Sequence, residues 1–145
     1  MMDENLKRAI IIDHYTKAHN RGLVEDERYN SKHMASSSCI DDITVQMLID
    51  GNIVKDVRFD GRGCAISTSS TSILSDLIKG KSKSEALDII NRYESMLKDG
   101  KGGEELLEAE AFDTLYKQPN RIKCGLIGVD AMKQMIEESD KENGK

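Results

Sequence analysis

The dipeptide Asp50-Gly51 constrains this chain more than any other feature. Before it, Ile43, Val45, Met47 and Ile49 alternate with Thr44, Gln46, Leu48 and Asp50, and after it a second strand-like run extends from Ile53 to Phe59. Asp-Gly between two such runs is a strong hairpin signal, because both central residues of that turn need positive φ. Asp60-Gly61 then predicts a second reversal, into a short third strand that reaches Cys64. The expectation is a three-stranded antiparallel meander.

Outside the meander the spacing is helical. Asp3 to Lys17 carries Leu6, Ala9 and Ile10 on one face, which predicts an amphipathic helix before the sheet. Ala18 to Ser38 is polar and aperiodic and reads as a long extended loop, a feature that tends to be functional or mobile. After Cys64, the stretch Thr68 to Lys79 groups Ile73, Leu74, Leu77 and Ile78, with Gly80 as terminator. Ser82-Lys83-Ser84-Glu85 is a capping box that opens a further helix. Gly100 to Gly103 interrupts the chain, Glu104 to Tyr116 resumes a short helix, and Pro119 stops or restarts it. A last helix is expected from about Cys124 through Leu126, Val129, Met132 and Ile136. The class is α+β: an antiparallel sheet packed against several helices in a single domain, 1–145. Within it, 1–38 is the N-terminal helix and mobile loop, and 138–145 a frayed tail.

Composition narrows the function. Only 4% of residues are aromatic, so Ile, Leu, Val and 7 Met must fill the core. A formal net charge of -5 argues against nucleic acid as the main partner. No run approaches the roughly 20 apolar residues of a membrane helix, and no leader is recognisable at the start, so the expected setting is the cytoplasm. Thiols stay reduced there, which makes an odd number of cysteines a matter of ligation or reactivity rather than disulfides.

Cys39 is followed two residues on by Asp41, Cys64 closes Gly61-Arg62-Gly63-Cys64, and Cys124 ends Arg121-Ile122-Lys123-Cys124. Three thiolates and one carboxylate are four anionic ligands, the number that closes a tetrahedral zinc site. Two of the cysteines fall near expected helix starts, where free N–H groups favour thiolate, and Gly61 and Gly63 permit close backbone approach. No two cysteines form a C-x-x-C knuckle, so convergence has to come from the fold. Free cysteine is also among the most buried residue types, and spacing alone leaves a purely structural role open. His14 reads as a helix residue and His19 and His33 as loop residues, none placed beside a cysteine. The hydroxyl cluster from Ser67 to Ser75 lacks the Gly-Lys-Ser/Thr of a phosphate loop and reads as a helix start that needs caps.

Taken together, these residues resemble the U-type iron–sulfur cluster assembly family (IscU, SufU and the NifU N-terminal domain), and its SufU-like branch most closely. The resemblance runs from about Leu6 to Ile136. It is carried by Ile12-Asp13-His14-Tyr15, Asn20-Arg21-Gly22, Cys39-x-Asp41, the stretch from Leu48 to Ser67, and Arg121 to Cys124. IscU-type chains usually carry histidine directly before the third cysteine, where Lys123 stands here, and the Gly100 to Tyr116 stretch looks like the SufU insertion. The chain departs from the family's usual pattern with Ser37-Ser38 before Cys39, Ile40 after it, and Lys17-Ala18 after the His-Tyr motif.

The resemblance implies a SufU/IscU-like fold and a zinc site formed by Cys39, Asp41, Cys64 and Cys124. It also implies a pyridoxal-phosphate cysteine desulfurase of the SufS kind as partner, with a downstream scaffold or apoproteins as recipients. On this reading Cys39 accepts persulfide sulfur, Asp41 is an exchangeable oxygen ligand, and Arg121 and Lys123 steady the persulfide or help dock the partner. The chain then acts as acceptor and activator rather than as an independent enzyme. Two alternatives stay open: a scaffold that assembles a [2Fe–2S] cluster on the same ligands, and a structural zinc domain with a binding role. Thiolates suit both metals.

Overall fold

The hairpin centred on Asp50-Gly51 forms as its sequence requires. In the computed structural model, which describes residues 2–35, 40–101, 103 and 106–143, β2 (Asp42–Asp50) pairs antiparallel with β3 (Ile53–Arg62), and Gly51 has φ 61°. Ile43, Val45 and Met47 point into the core, opposite Phe59 and Val57. A register shift between Leu48 and Ile49 breaks the alternation and leaves Ile49 half-buried.

With β1 (Asn30–Ala35) the sheet has the order β1-β2-β3, an antiparallel meander as expected, but its third strand comes from elsewhere in the chain. No reversal occurs at Asp60-Gly61. β3 continues straight through both residues to Arg62, with Gly61 at φ 130° and opposite Ile43. The remaining strand is β1, Asn30–Ala35, inside the stretch expected to be a loop. β1 is an edge strand whose residues alternate between exposed and half-buried, so it carries no hydrophobic alternation to detect. The chain ahead of it is also tied down. Gly22 N–H donates to the Phe59 carbonyl and Phe59 N–H to the Asn20 carbonyl, while Gln46 bonds the backbone of Val24 in both directions.

Helix α1 (Glu4–Thr16) starts at Asp3, whose side chain caps Leu6 N–H, and packs on α2 (Ala65–Ile78). α3 (Lys83–Asp99) has the full capping box of Ser82 and Glu85 and ends at Gly100 in the left-handed region. The short helix expected over Glu104 to Tyr116 is two 3₁₀ segments, Leu107–Phe112 and Leu115–Lys117. α4 (Pro119–Asn143) begins earlier than expected, with Pro119 as its first residue, a position where the missing N–H costs nothing. Cys124 therefore lies in the second turn of α4 rather than at its start. α2, α3 and α4 cover the sheet and close the core over Phe59, Leu74, Tyr93 and Met132.

Candidate metal centre

The continuation of β3 past Gly61 builds one side of the site. The ladder runs to Asp42 opposite Arg62, so the residues just outside it, Asp41 and Gly63-Cys64, are brought together. A side chain on Gly61 would overlap the Asp42 carbonyl, and one on Gly63 would overlap the Ser67 hydroxyl. Gly61 is thus required by close backbone approach, and Gly63 makes room for the side chains of Ser67 and Thr68. Cys64 is the N-cap of α2, and its sulfur accepts the Ser67 N–H at 3.4 Å.

α4 supplies the other side. Gly128 lies against Thr71 with no room for a β-carbon, and Gly125 is packed under Leu97 and Leu115. Tyr93, fully buried, donates its hydroxyl to the Gly125 carbonyl at 2.8 Å, and burial pushes its phenol far above the usual range. This tight approach of α4 to α2 carries Cys124 to the mouth of the β2–α2 corner. Ligand atoms of Asp41, Cys64 and Cys124 lie within 4.8 Å of one another, with Asp41 and Cys124 buried and Cys64 half-buried.

The donors around Asp41 show what the cluster suits. Its Oδ1 accepts the Cys64 N–H at 3.0 Å and the Ser67 hydroxyl at 2.9 Å. Its Oδ2 is buried and has no hydrogen-bond partner among the described residues. A carboxylate that is only 2% exposed, with one oxygen unpaired beside two sulfurs, is costly unless a cation completes it. Two thiols and a carboxylate are three of the four donors of a closed zinc site, and the ligand-holding bonds from Ser67 and Cys64 N–H are of the kind that orient metal ligands. The residues fit zinc.

Cys39 lies outside the described residues. Arg121 and Lys123 are both exposed on the first turns of α4, before Cys124. Ser67 was not singled out as a site residue, and the only signal for it was its place in the hydroxyl run. That run does not cap the helix. Thr71 and Ser70 donate back to the Ser67 carbonyl and Ser75 to the Ser72 carbonyl, and the buried hydroxyls fill the seam between α2 and its neighbours. His14 is a helix residue as expected, buried between the Ser72 hydroxyl at 2.7 Å and Glu108 at 3.2 Å. His19 is paired with Asp76, while His33, expected in a loop, is in β1 and meets Asp42 at 2.6 Å.

Fold and site together define a protein class: a helix-covered three-stranded meander with a thiol-carboxylate cluster at one corner. Residues 6–144 match the family of the NifU-like N terminal domain, and the chain belongs to that family. It is 32% identical over 142 residues to the zinc-dependent sulfurtransferase SufU of Bacillus subtilis, covering 97% of this chain and 95% of that one. It is also 32% identical over 137 residues to the iron–sulfur cluster assembly scaffold protein IscU of Streptococcus pyogenes, covering 93% and 85%. Among solved structures, a candidate iron–sulfur cluster assembly scaffold protein for the SUF system from Fervidobacterium islandicum superposes with a TM-score of 0.73 at 31% identity, covering 86% of this chain and 91% of that one. Among the described residues, no helix is long and apolar enough to cross a membrane.

Proposed function

We propose that this chain is a zinc-bound sulfur acceptor in cytoplasmic iron–sulfur cluster assembly, taking sulfur from the persulfide of a SufS-type pyridoxal-phosphate cysteine desulfurase. The observation that carries the reading is the unpaired buried Oδ2 of Asp41 beside Cys64 and Cys124. Cys39 completes the set as fourth ligand and is the acceptor. Its thiolate attacks the outer sulfur of the desulfurase persulfide, a new S–S bond forms as the old one breaks, and the desulfurase cysteine leaves as thiolate. No external oxidant or reductant is needed. Zinc, when bound, keeps the thiols deprotonated and ordered. Cys64 and Asp41 are held by α2 and the β2–β3 register. Arg121 and Lys123 place positive charge beside the incoming anion. Sulfur then passes to a downstream scaffold or to apoproteins.

The scaffold reading, in which a [2Fe–2S] cluster assembles on the same residues, is kept by the equal likeness to the Streptococcus pyogenes relative. Lys123 in place of an imidazole supports the acceptor. Aerobic purification separates the two: a colourless protein with roughly one zinc per chain supports the acceptor, and a brown one with iron and acid-labile sulfide supports the scaffold. Desulfurase turnover is then measured with the zinc-loaded chain, the chelated chain and Cys39→Ala. Stimulation by the first alone, with the Cys39→Ala fold intact by circular dichroism, is expected. No stimulation by the zinc-loaded chain would remove the acceptor role.

A further inference from the structure

An open depression of about 360 Å³ borders the metal centre. Ile40, adjacent to Asp41, and Gly63, adjacent to Cys64, form its inner edge, so whatever occupies it lies next to the ligands. Tyr15, Arg21, Gly61, Arg62 and the buried Thr68 complete the lining.

The two arginines differ in a way that matters. Arg21 is committed: it donates to the Gly61 carbonyl at 2.7 Å and to Asp60 at 3.3 Å, and its guanidinium stands 5.8 Å over the Phe59 ring. Arg62 is exposed and has no acidic partner among the described residues. Its cross-strand neighbour, Asp42, is taken by His33. Asp60 is paired with Arg21 and Asp42 with His33, which leaves Arg62 as the lining cation without an ion pair among the described residues, in a chain whose net charge is -5.

Beside that charge stand two large apolar side chains that no element covers among the described residues, Ile40 at 72% exposure and Tyr15 at 45%. A cavity open to solvent does not enclose a small molecule as ligand pockets do. An apolar patch around a single unpaired cation suits a peptide segment that carries one acidic side chain. We infer that Arg62 is a specificity-determining residue: with Ile40 and Tyr15 it reads an acidic residue on the desulfurase segment that borders the persulfide cysteine. The inference rests on the sulfur-acceptor reading for the identity of the partner, and the charge and the exposed apolar pair are what select the segment's chemistry. A rim charge of this kind acts mainly on association and its salt dependence.

The test uses the zinc-loaded full chain and the organism's own cysteine desulfurase, with binding measured by titration calorimetry at several salt concentrations and desulfurase stimulation measured in parallel. Arg62→Glu should raise Kd roughly tenfold or more and Arg62→Ala several-fold, Arg62→Lys should stay near the parent, and the salt dependence should flatten in Arg62→Ala. Zinc content and the thermal transition should be unchanged in all three. Binding that is identical in Arg62→Glu and the parent overturns the inference, as does weaker binding that tracks zinc loss. Binding sensitive to Arg62 without stimulation by the parent chain leaves Arg62 as the docking residue and removes the sulfur-acceptor role instead.

Discussion

The two halves of α2 are equally buried and are built from opposite chemistry. From Ser67 to Ser72 the helix presents hydroxyls, each 3% exposed or less, whereas Ile73, Leu74 and Ile78 are plain core aliphatics. The apolar half gains stability from area removed from water. The hydroxyl half contributes little apolar area, but small side chains that satisfy themselves on carbonyls one turn back let α4 come close enough for Gly128 to touch Thr71. One half of the helix holds the fold, and the other sets the distance between Cys64 and Cys124.

That contrast can be broken or sharpened by substitution. Leu74→Ala should have the largest effect on stability, about 2–5 kcal/mol in chemical denaturation, with zinc stoichiometry retained at saturation. Gly128→Ala forces a β-carbon into Thr71 and should cost about 1–3 kcal/mol. Because it pushes α4 outward, it should also weaken zinc binding in a competition titration, which Leu74→Ala should not. Ser67→Ala removes a donor from the Asp41 carboxylate, and about 1.5 kcal/mol of stability is expected to go with it. The more telling readout is zinc affinity, expected to fall roughly 10- to 100-fold, as for other residues that hold a ligand in place. Thr71→Val keeps the volume and removes only the bond to the Ser67 carbonyl, so its cost should stay below about 1 kcal/mol. If Thr71→Val proves as damaging as Leu74→Ala, the division of labour within α2 is wrong.

The elements that were legible in the sequence are those with local rules. The Asp50-Gly51 turn, the Ser82–Glu85 capping box and the aliphatic face of α2 all stand where residue spacing puts them. β1 was missed because an edge strand with little burial has no periodic signature, and its pairing with β2 is decided by β2's free edge rather than by its own residues. The false turn at Asp60-Gly61 has a related cause. Gly61 does take positive φ, as the turn signal implies, but the ladder to Ile43 continues past it and holds the chain extended. α4 starts a turn early because Pro119 opens a helix as readily as it ends one.

For the site, cysteine and aspartate identities were enough to propose a ligand set, and the resemblance they carry named the family. Neither could show that Asp41, Cys64 and Cys124 meet, nor that Ser67 holds Asp41, nor that Arg62 is exposed with no ion pair among the described residues. What the residues determined by themselves is chemistry and local form: thiols and a carboxylate, a tight turn, capped helices. What only the tertiary structure decided is proximity. Cys64 and Cys124 are brought together by a strand register and a helix packing distance, both set by contacts between residues far apart in the chain, and no local pattern encodes a sum of such contacts.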